Sequence, residues 1–266
     1  MSANSSIEWC DHTFNPWWGC LKVSPGCQHC YADTFASRYG YNIWGPAATT
    51  ARRTFGDNHW AEPRRWNRDA EQSGQRFRVF CASMSDVFED HPTAAEERPK
   101  LWPLIEQTPH LDWLLLTKRP ENMRTMVPWD GAWPTNIWAM TSVENQEQAI
   151  NRIPLLLDVP VAIHALSVEP LLDAVDLAPW IDQLDWVIVG GESGSKARPM
   201  NPQWVRNLRD QCIRAGVSFF FKQWGMWSPD SADPTKTKRK SKKESGRMLD
   251  DRTWDELPVV ENTIPS

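Results

Sequence analysis

Short hydrophobic runs recur along the chain and alternate with stretches of helical periodicity. Because these runs are apolar almost throughout, they fit strands buried on both faces. The six runs are Phe77–Ala82, Trp113–Thr117, Ile137–Thr141, Val161–Leu166, Trp186–Val189 and Val217–Phe221. A further strand is predicted within Ile7–Thr13. Helical spacing covers Glu96–Gln107, Glu144–Leu157 and Gln203–Ala215.

This alternation of strands and helices predicts an α/β protein with a parallel sheet. We expect a partial or full TIM-like (β/α) barrel over residues 1–227, and the alternative is a doubly wound open sheet. Two segments interrupt the alternation: residues 40–74 form an irregular insertion rich in Arg and Trp, and residues 228–247 form a basic segment that we expect to be a flexible loop. Residues 248–266 are expected to pack on the barrel.

Composition limits the class of protein. The chain has 266 residues of which 41% are hydrophobic, so it can bury a core and global disorder is excluded. No apolar run approaches the roughly 18 residues of a membrane span, and the first residues are too polar for a secretory leader. We therefore expect a cytoplasmic protein. The formal charge of −5 argues against nucleic-acid binding through bulk charge alone.

Polar residues follow each of the six predicted strands. In parallel α/β proteins the carboxyl ends of the strands lie at one edge, so these residues are expected to share a pocket. For any single Ser or Asp the alternative is a helix cap. Charged side chains are costly beside a core, which favours a functional role for the set. The candidates are Ser83, Ser85, Asp86, Lys118, Arg119, Ser142, Glu144, Glu169, Glu192 and Lys222.

Three cysteines with the spacing CX6CX2C lie in a Gly- and Pro-rich segment at residues 19–31. Cysteines clustered in a cytoplasmic chain indicate metal or cluster ligands. Cys20, Cys27 and Cys30 can hold a [4Fe–4S] cluster whose fourth iron stays open. The main alternative is structural zinc, completed by Cys10, His12 or His29, and a further alternative is unligated buried cysteine. Cys81 and Cys212 are expected to be packing residues.

Several segments carry a resemblance to known families. The stretches GCLKVSPGCQHCYA, LLTKRPENM, LSVEPLL, DWVIVGGESGSKARPMNPQWVRNLRDQC, FFFKQWG and GRMLDDRTWDELP resemble a phage gene-product family of poorly defined function (the Gp37/Gp68 family), from about Ile7 to Pro258. The cysteine cluster followed by polar strand ends also resembles the radical S-adenosylmethionine superfamily. Members of that superfamily fold as partial or full (β/α) barrels and usually carry CxxxCxxC, whereas the first gap here is six residues.

The second resemblance implies a mechanism and a set of site residues. A [4Fe–4S] cluster on Cys20, Cys27 and Cys30 would bind S-adenosylmethionine and generate a 5′-deoxyadenosyl radical, with electrons from an unidentified flavodoxin- or ferredoxin-like donor. By position, Ser83, Ser85 and Asp86 would contact the methionine amino and carboxylate groups, Ser142 and Glu144 the ribose, and His29 the adenine. Lys118, Glu169, Glu192 and Lys222 would be catalytic, and Arg119 and Arg198 would lie near the substrate.

The substrate class follows from a different feature. Six lysine and arginine residues lie within Lys236–Lys243, where they could guide a nucleic acid, although a solvated loop is the alternative. A nucleobase or nucleic acid is therefore the substrate class that we consider, as in phage DNA modification. The alternative function is a zinc-stabilised, non-catalytic nucleic-acid-binding protein.

Overall fold

Seven parallel strands form a single sheet in the computed structural model, which describes residues 5–230, 233 and 236–259. The strands are β1 His12–Thr13, β2 Phe77–Cys81, β3 Leu111–Thr117, β4 Ile137–Ser142, β5 Ile163–Val168, β6 Trp186–Gly190 and β7 Ser218–Gln223. The helices are α1 Tyr31–Arg38, α2 Asp57–Trp60, α3 Glu62–Ser73, α4 Pro92–Glu106, α5 Gln146–Leu157, α6 Pro202–Ala215 and α7 Lys242–Ser245. Within these described ranges no helix is long and apolar enough to cross a membrane.

The order of the strands across the sheet is their order along the chain, and each neighbouring pair is parallel. A doubly wound sheet would reverse direction at a switch point, and its helices would cover both faces. Here α3, α4, α5 and α6 pack on one face only, against the outward side chains of the strands. The prediction of a (β/α) partial barrel is confirmed, and the doubly wound alternative is wrong.

The opposite, inward face of the sheet is filled by aromatic and aliphatic side chains near the amino ends of the strands. Trp138 and Trp186 lie there, together with Trp9 from the segment before β1. The Trp9 ring lies 4.7 Å from Phe80 and 6.1 Å from Trp186, measured between centroids. This packing forms the floor of a cavity whose lining includes Trp9 and Phe80.

The first strand is shorter than expected. Residues 7–13 were expected to form a strand, but only His12 and Thr13 pair with β2. Trp9 and Cys10 instead turn inward and join the cluster inside the barrel. Their hydrophobicity reflects burial under the sheet and not strand pairing.

The segment 40–74 differs from the expected irregular insertion, because it contains α2 and α3. Helix α3 buries only Pro63, Trp66 and Ala70, and the rest of its surface is polar. Such a narrow apolar stripe among charged residues gives a weak periodic signal. Gly74 ends the helix in the left-handed conformation, with φ of 64°.

The basic segment after residue 227 also contains regular structure. Strand β8, Trp227–Pro229, pairs antiparallel with β9, Thr237–Arg239. Helix α7 follows, and Ser241 and Glu244 form a capping box at its start. Further along, Trp254 packs edge-on against Phe219 of β7, with 5.7 Å between ring centroids. The predictions for residues 1–4, 231, 232, 234, 235 and 260–266 concern positions outside the described residues.

Candidate functional site

A cavity of about 620 Å³ lies at the carboxyl ends of the strands. The cysteine segment and the residues that follow β2 to β7 line its wall. Most of the residues predicted from the sequence meet there, although they are far apart in the chain. They are Cys20, Cys27, Cys30, His29, Ser83, Ser85, Asp86, Lys118, Arg119, Ser142, Glu169, Glu192 and Lys222. Glu144 and Arg198 do not line this cavity.

The three cysteines are free, half-buried thiols. A 3-10 turn, Pro25–Cys27, and the start of α1 directly after Cys30 fix the backbone around two of them. Burial raises the pKa of the Cys20 thiol to about 12, and burial also raises the pKa of Cys30. Across the described ranges, no group of three or more His, Cys, Asp or Glu side chains is close enough to hold a single metal ion.

A buried ion pair fixes the chain next to Cys20. Both oxygens of Glu89 accept hydrogen bonds from Arg52, at 2.9 and 3.0 Å, and Glu89 Oε1 also accepts from the Leu21 amide at 2.7 Å. Arg119 donates to the Leu21 carbonyl at 2.8 Å and contacts Cys20 Sγ at 3.7 Å. The sequence does not predict this role for Arg52 and Glu89, because nothing in their local sequence pairs residues so distant in the chain.

The chain next to Cys27 is fixed from the other side. The Gly26 amide donates to Glu144 Oε1 at 3.2 Å, and Glu144 forms a buried ion pair with Arg152 at 2.9 Å. Arg198 donates to the Pro25 carbonyl at 3.0 Å. Glu144 and Arg198 therefore hold the cysteine segment in place from the side that faces away from the cavity.

The predicted site residues Ser83, Ser85 and Asp86 follow β2 and differ in the hydrogen bonds that their side chains make. Asp86 accepts hydrogen bonds from the Thr117 hydroxyl, the Phe88 and Lys118 amides and the Arg119 guanidinium, at 2.7 to 3.1 Å. Ser83 exchanges hydrogen bonds with Asn15. Ser85 Oγ is buried at the cavity wall and has no hydrogen-bond partner. A buried polar atom without a partner is costly, so Ser85 is the residue of the three that is poised for a ligand.

Two polar pairs lie on the inward face above the aromatic floor. Lys118 Nζ donates to Ser142 Oγ at 3.0 Å, and Lys222 Nζ lies 3.1 Å from Glu169 Oε2. Ser167 also lines the cavity, although it was not among the residues predicted for the site. The sequence pattern does indicate Ser167, because it lies two residues before Glu169 and side chains two positions apart in a strand share one face.

Glu192 connects the end of β6 to the cysteine segment. Burial alone would raise the pKa of its carboxyl, but hydrogen bonds from Arg198 and His29 lower that pKa below the usual range. The contacts are 2.5 Å to Arg198 Nη2 and 3.3 Å to His29 Nδ1. Glu192 is therefore an ionised carboxylate at neutral pH, and it orients His29 on the cavity wall.

The two glycines before Glu192 allow close approaches that no larger residue permits. A Cβ at Gly190 would lie 2.1 Å from Glu169 Oε1, and a Cβ at Gly191 would lie 2.1 Å from the Trp224 carbonyl oxygen. The first contact is with the end of a side chain, whereas the second is with backbone. Glycine at 191 is therefore required for β6 and the end of β7 to meet beside the cavity.

Replacing Gly191 with Ala is expected to destabilise the protein by about 3 kcal/mol, because the Trp224 backbone must move. Gly190→Ala is expected to cost less, since the Glu169 side chain can move away from Lys222. Gly56→Ala is the control, because nothing lies within 4 Å of a Cβ there. Urea unfolding followed by tryptophan fluorescence measures all three. Equal stability of the Gly191 and Gly56 variants would contradict the close approach.

The chemistry of the donor set is of the kind that an iron–sulfur cluster uses. Three free thiols from one segment border the cavity, and the unpartnered Ser85 hydroxyl offers a polar contact to a second ligand group. The cavity volume of about 620 Å³ lies in the range of cofactor sites. Thiolates are the ligands that iron–sulfur clusters use.

Comparisons with known proteins give one family and one solved structure. No curated protein matches the chain. Among solved structures, the chain is similar to a mutant of spore photoproduct lyase with bound AdoMet and dinucleoside spore photoproduct, with a TM-score of 0.43 and 12% identity over 77% of this chain. The chain spans 62% of that protein's length.

The relation to the phage Gp37/Gp68 family stays a prediction, because the family profile that matches carries a different description. That profile is described as a protein of unknown function and covers residues 4–258, nearly the whole chain. The chain therefore belongs to the DUF5131 family of proteins of unknown function.

Proposed function

We propose that the protein is a radical S-adenosylmethionine enzyme. One observation carries the proposal: three free cysteines of a single segment and the polar ends of six parallel strands line the same cavity. In sequentially ordered β/α folds, function is built at this edge of the sheet. Cys20, Cys27 and Cys30 would hold a [4Fe–4S] cluster, and the reduced cluster would supply the one electron that splits S-adenosylmethionine into methionine and a 5′-deoxyadenosyl radical.

The protein's own residues would bind and orient S-adenosylmethionine and the substrate. Ser85 offers a free hydroxyl for the methionine end, and Ser83 and Asp86 hold the backbone around it. Ser142, held by Lys118, is the proposed ribose contact, and His29, held by Glu192, the proposed adenine contact. The ribose contact is not extended to Glu144, because its carboxylate lies behind the cysteine segment.

The substrate would bind in the half of the cavity that lies away from the proposed S-adenosylmethionine contacts. Lys222 and Glu169 form an ion pair there, and Lys222 Nζ lies 5.9 Å from the Trp9 ring centroid. The packed floor of Trp9, Phe80 and Trp186 offers an apolar wall, which would shield a reactive radical from water on that side. We take a nucleobase or nucleic acid as the substrate class and a flavodoxin- or ferredoxin-like protein as the electron donor.

Anaerobic reconstitution tests this proposal. The full-length protein is expected to hold about four irons with broad absorbance near about 400 nm. With S-adenosylmethionine and dithionite it is expected to release 5′-deoxyadenosine, measured by mass spectrometry. Colourless protein with one tightly bound zinc would overturn the proposal and favour the zinc-stabilised, non-catalytic alternative.

A further inference from the structure

An exposed aromatic face borders the cysteine segment. Tyr31, Phe35 and Tyr39 follow one another at intervals of four residues along α1 and its end, so they share one side of the helix. Their exposed fractions are 56%, 42% and 67%. Large aromatic side chains grouped at the surface mark a binding site more often than a solvated face.

A basic hairpin, here the paired strands β8 and β9 with the helix α7 that follows them, also borders the cavity. Its Arg239 donates to the Ser195 carbonyl, and its Trp227 Nε1 donates to the Ala197 carbonyl at 2.8 Å. Lys242 lines the cavity itself. The hairpin is therefore fixed to the segment after β6.

A second cavity, of about 780 Å³, lies beside the aromatic face, and its wall includes Ser195, whose carbonyl accepts the hydrogen bond from Arg239 of the hairpin. It lies between α1 and residues 193–196, and it shares His29, Cys30 and Tyr31 with the wall of the first cavity. Phe35, Arg38 and Lys196 also line it. The aromatic face, both cavities and the basic hairpin thus form one continuous surface.

The positive charge on this surface is largely unneutralised. Lys238, Lys242 and Lys243 are exposed, and in the described part of the chain no carboxylate forms an ion pair with them. Lys22 and Lys236 do pair with Asp33 and Asp233, at 2.7 and 3.1 Å. The whole chain carries a formal charge of −5, so these lysines without carboxylate partners form a local excess of positive charge.

We propose that this surface binds a single strand of nucleic acid and delivers one base to the cavity. Lysines pair with phosphates, and exposed aromatic rings stack on bases that are not paired. A duplex hides the faces of its bases, and a base must leave the stack before it can enter an enclosed cavity. Delivery of a base for chemistry rests on the proposed function, whereas binding of the strand needs no cofactor.

Fluorescence anisotropy with labelled oligo-dT and oligo-U of about 15 nucleotides tests the proposal. Binding is expected to weaken between about 50 and 200 mM salt, and a duplex of the same length is expected to bind less tightly. The two oligonucleotides distinguish DNA from RNA, and tighter binding of either supports the proposal. Equal or tighter binding of the duplex, or no binding at about 50 mM salt, would overturn it.

Two variant pairs locate the binding to this surface. The Lys238→Gln/Lys242→Gln/Lys243→Gln protein is expected to show a weaker salt dependence, with a slope of log K against log salt that is less negative by about 2. Its control is Arg65→Gln/Arg68→Gln/Arg214→Gln, which removes three exposed charges from α3 and α6. Tyr39→Ala is expected to weaken binding about fivefold or more, and Tyr39→Phe is expected to retain it. Equal losses in the two charge variants, or in both Tyr39 variants, would contradict the assigned surface.

Failure of this proposal is distinguishable from failure of the proposed function. The protein purified without iron is expected to bind the oligonucleotide, because the exposed lysines and aromatic rings of this surface are not ligands of the proposed cluster. Binding without iron would separate the surface from the cluster. An iron-bearing protein that releases 5′-deoxyadenosine but binds no oligonucleotide would overturn only the nucleic-acid surface.

Discussion

Cys20→Ala, Cys27→Ala and Cys30→Ala proteins are each expected to fall from about four irons to below about one after anaerobic reconstitution. Each thiolate binds a separate iron, and a cluster that already has one open iron has no spare ligand. The variants are also expected to release no detectable 5′-deoxyadenosine. Iron and sulfide analysis, absorbance and mass spectrometry measure the three quantities.

Cys212→Ala is the matched control for these variants. Cys212 is fully buried on α6, on the helix side of the sheet, and it does not line the cavity. The control protein is expected to keep about four irons. If all four variants lost iron equally, the loss would reflect instability of the fold and the assignment of the three ligands would be wrong.

The fourth nearby cysteine is expected to behave like this control. Burial raises the pKa of the Cys10 thiol to about 11, and its Sγ lies 3.4 Å from Ser5 Oγ and 3.8 Å from the Ile7 carbonyl. The thiol is thus packed among the inward cluster. Loss of iron from a Cys10→Ala protein would make Cys10 a ligand and would favour a site with four thiolates.

The strands of the fold were predictable because they carry their own signal. A strand buried on both faces is apolar at most positions, and β2 to β7 begin and end within about two residues of the predicted runs. Residues 7–13 broke this rule, because Trp9 and Cys10 are buried under the sheet without pairing. Helix α3 was missed for the opposite reason, since most of its surface is solvated and only three of its residues are buried.

The sequence predicts the site residues whose positions are set by the carboxyl ends of the strands. Residues at the carboxyl ends of parallel strands meet, and Ser142, Glu169 and Lys222 do line one cavity. The direction of a side chain after the strand has ended follows from the tertiary structure. Strand β4 ends at Ser142, and Asn145 already caps α5, so Glu144 points away from the cavity towards Arg152.

The same limit applies to the residues that hold the cysteine segment. Arg52 and Glu89 are 37 positions apart, and Glu89 lies 68 positions from Leu21, whose amide it binds. No local pattern links residues at such separations. Their contribution comes from burial of an ion pair with its hydrogen bonds satisfied, which is visible only once the chain is folded.

Glu144→Gln and Arg152→Met are each expected to destabilise the protein by about 3–5 kcal/mol, because each leaves a buried partner without its counter-charge or hydrogen bond. Glu144 has no exposed surface, and its oxygens bind Arg152 at 2.9 Å and the Gly26 amide at 3.2 Å. The double variant is expected to cost less than the sum of the two single variants, since it removes both buried charges together. Urea unfolding followed by tryptophan fluorescence measures the cycle.

Glu147→Gln provides the control on the same helix. Glu147 is exposed in the first turn of α5, so its loss is expected to cost below about 1 kcal/mol. A ribose contact at Glu144 predicts a different pattern, in which Glu144→Gln weakens S-adenosylmethionine binding while stability stays unchanged. That result, measured by equilibrium dialysis, would return Glu144 to the cavity wall. The other outcome is that Glu144→Gln lowers the free energy of unfolding and that the double variant with Arg152→Met loses less than the sum of the two single variants. That outcome identifies Glu144 as the residue that holds Gly26, and through it Cys27, in place.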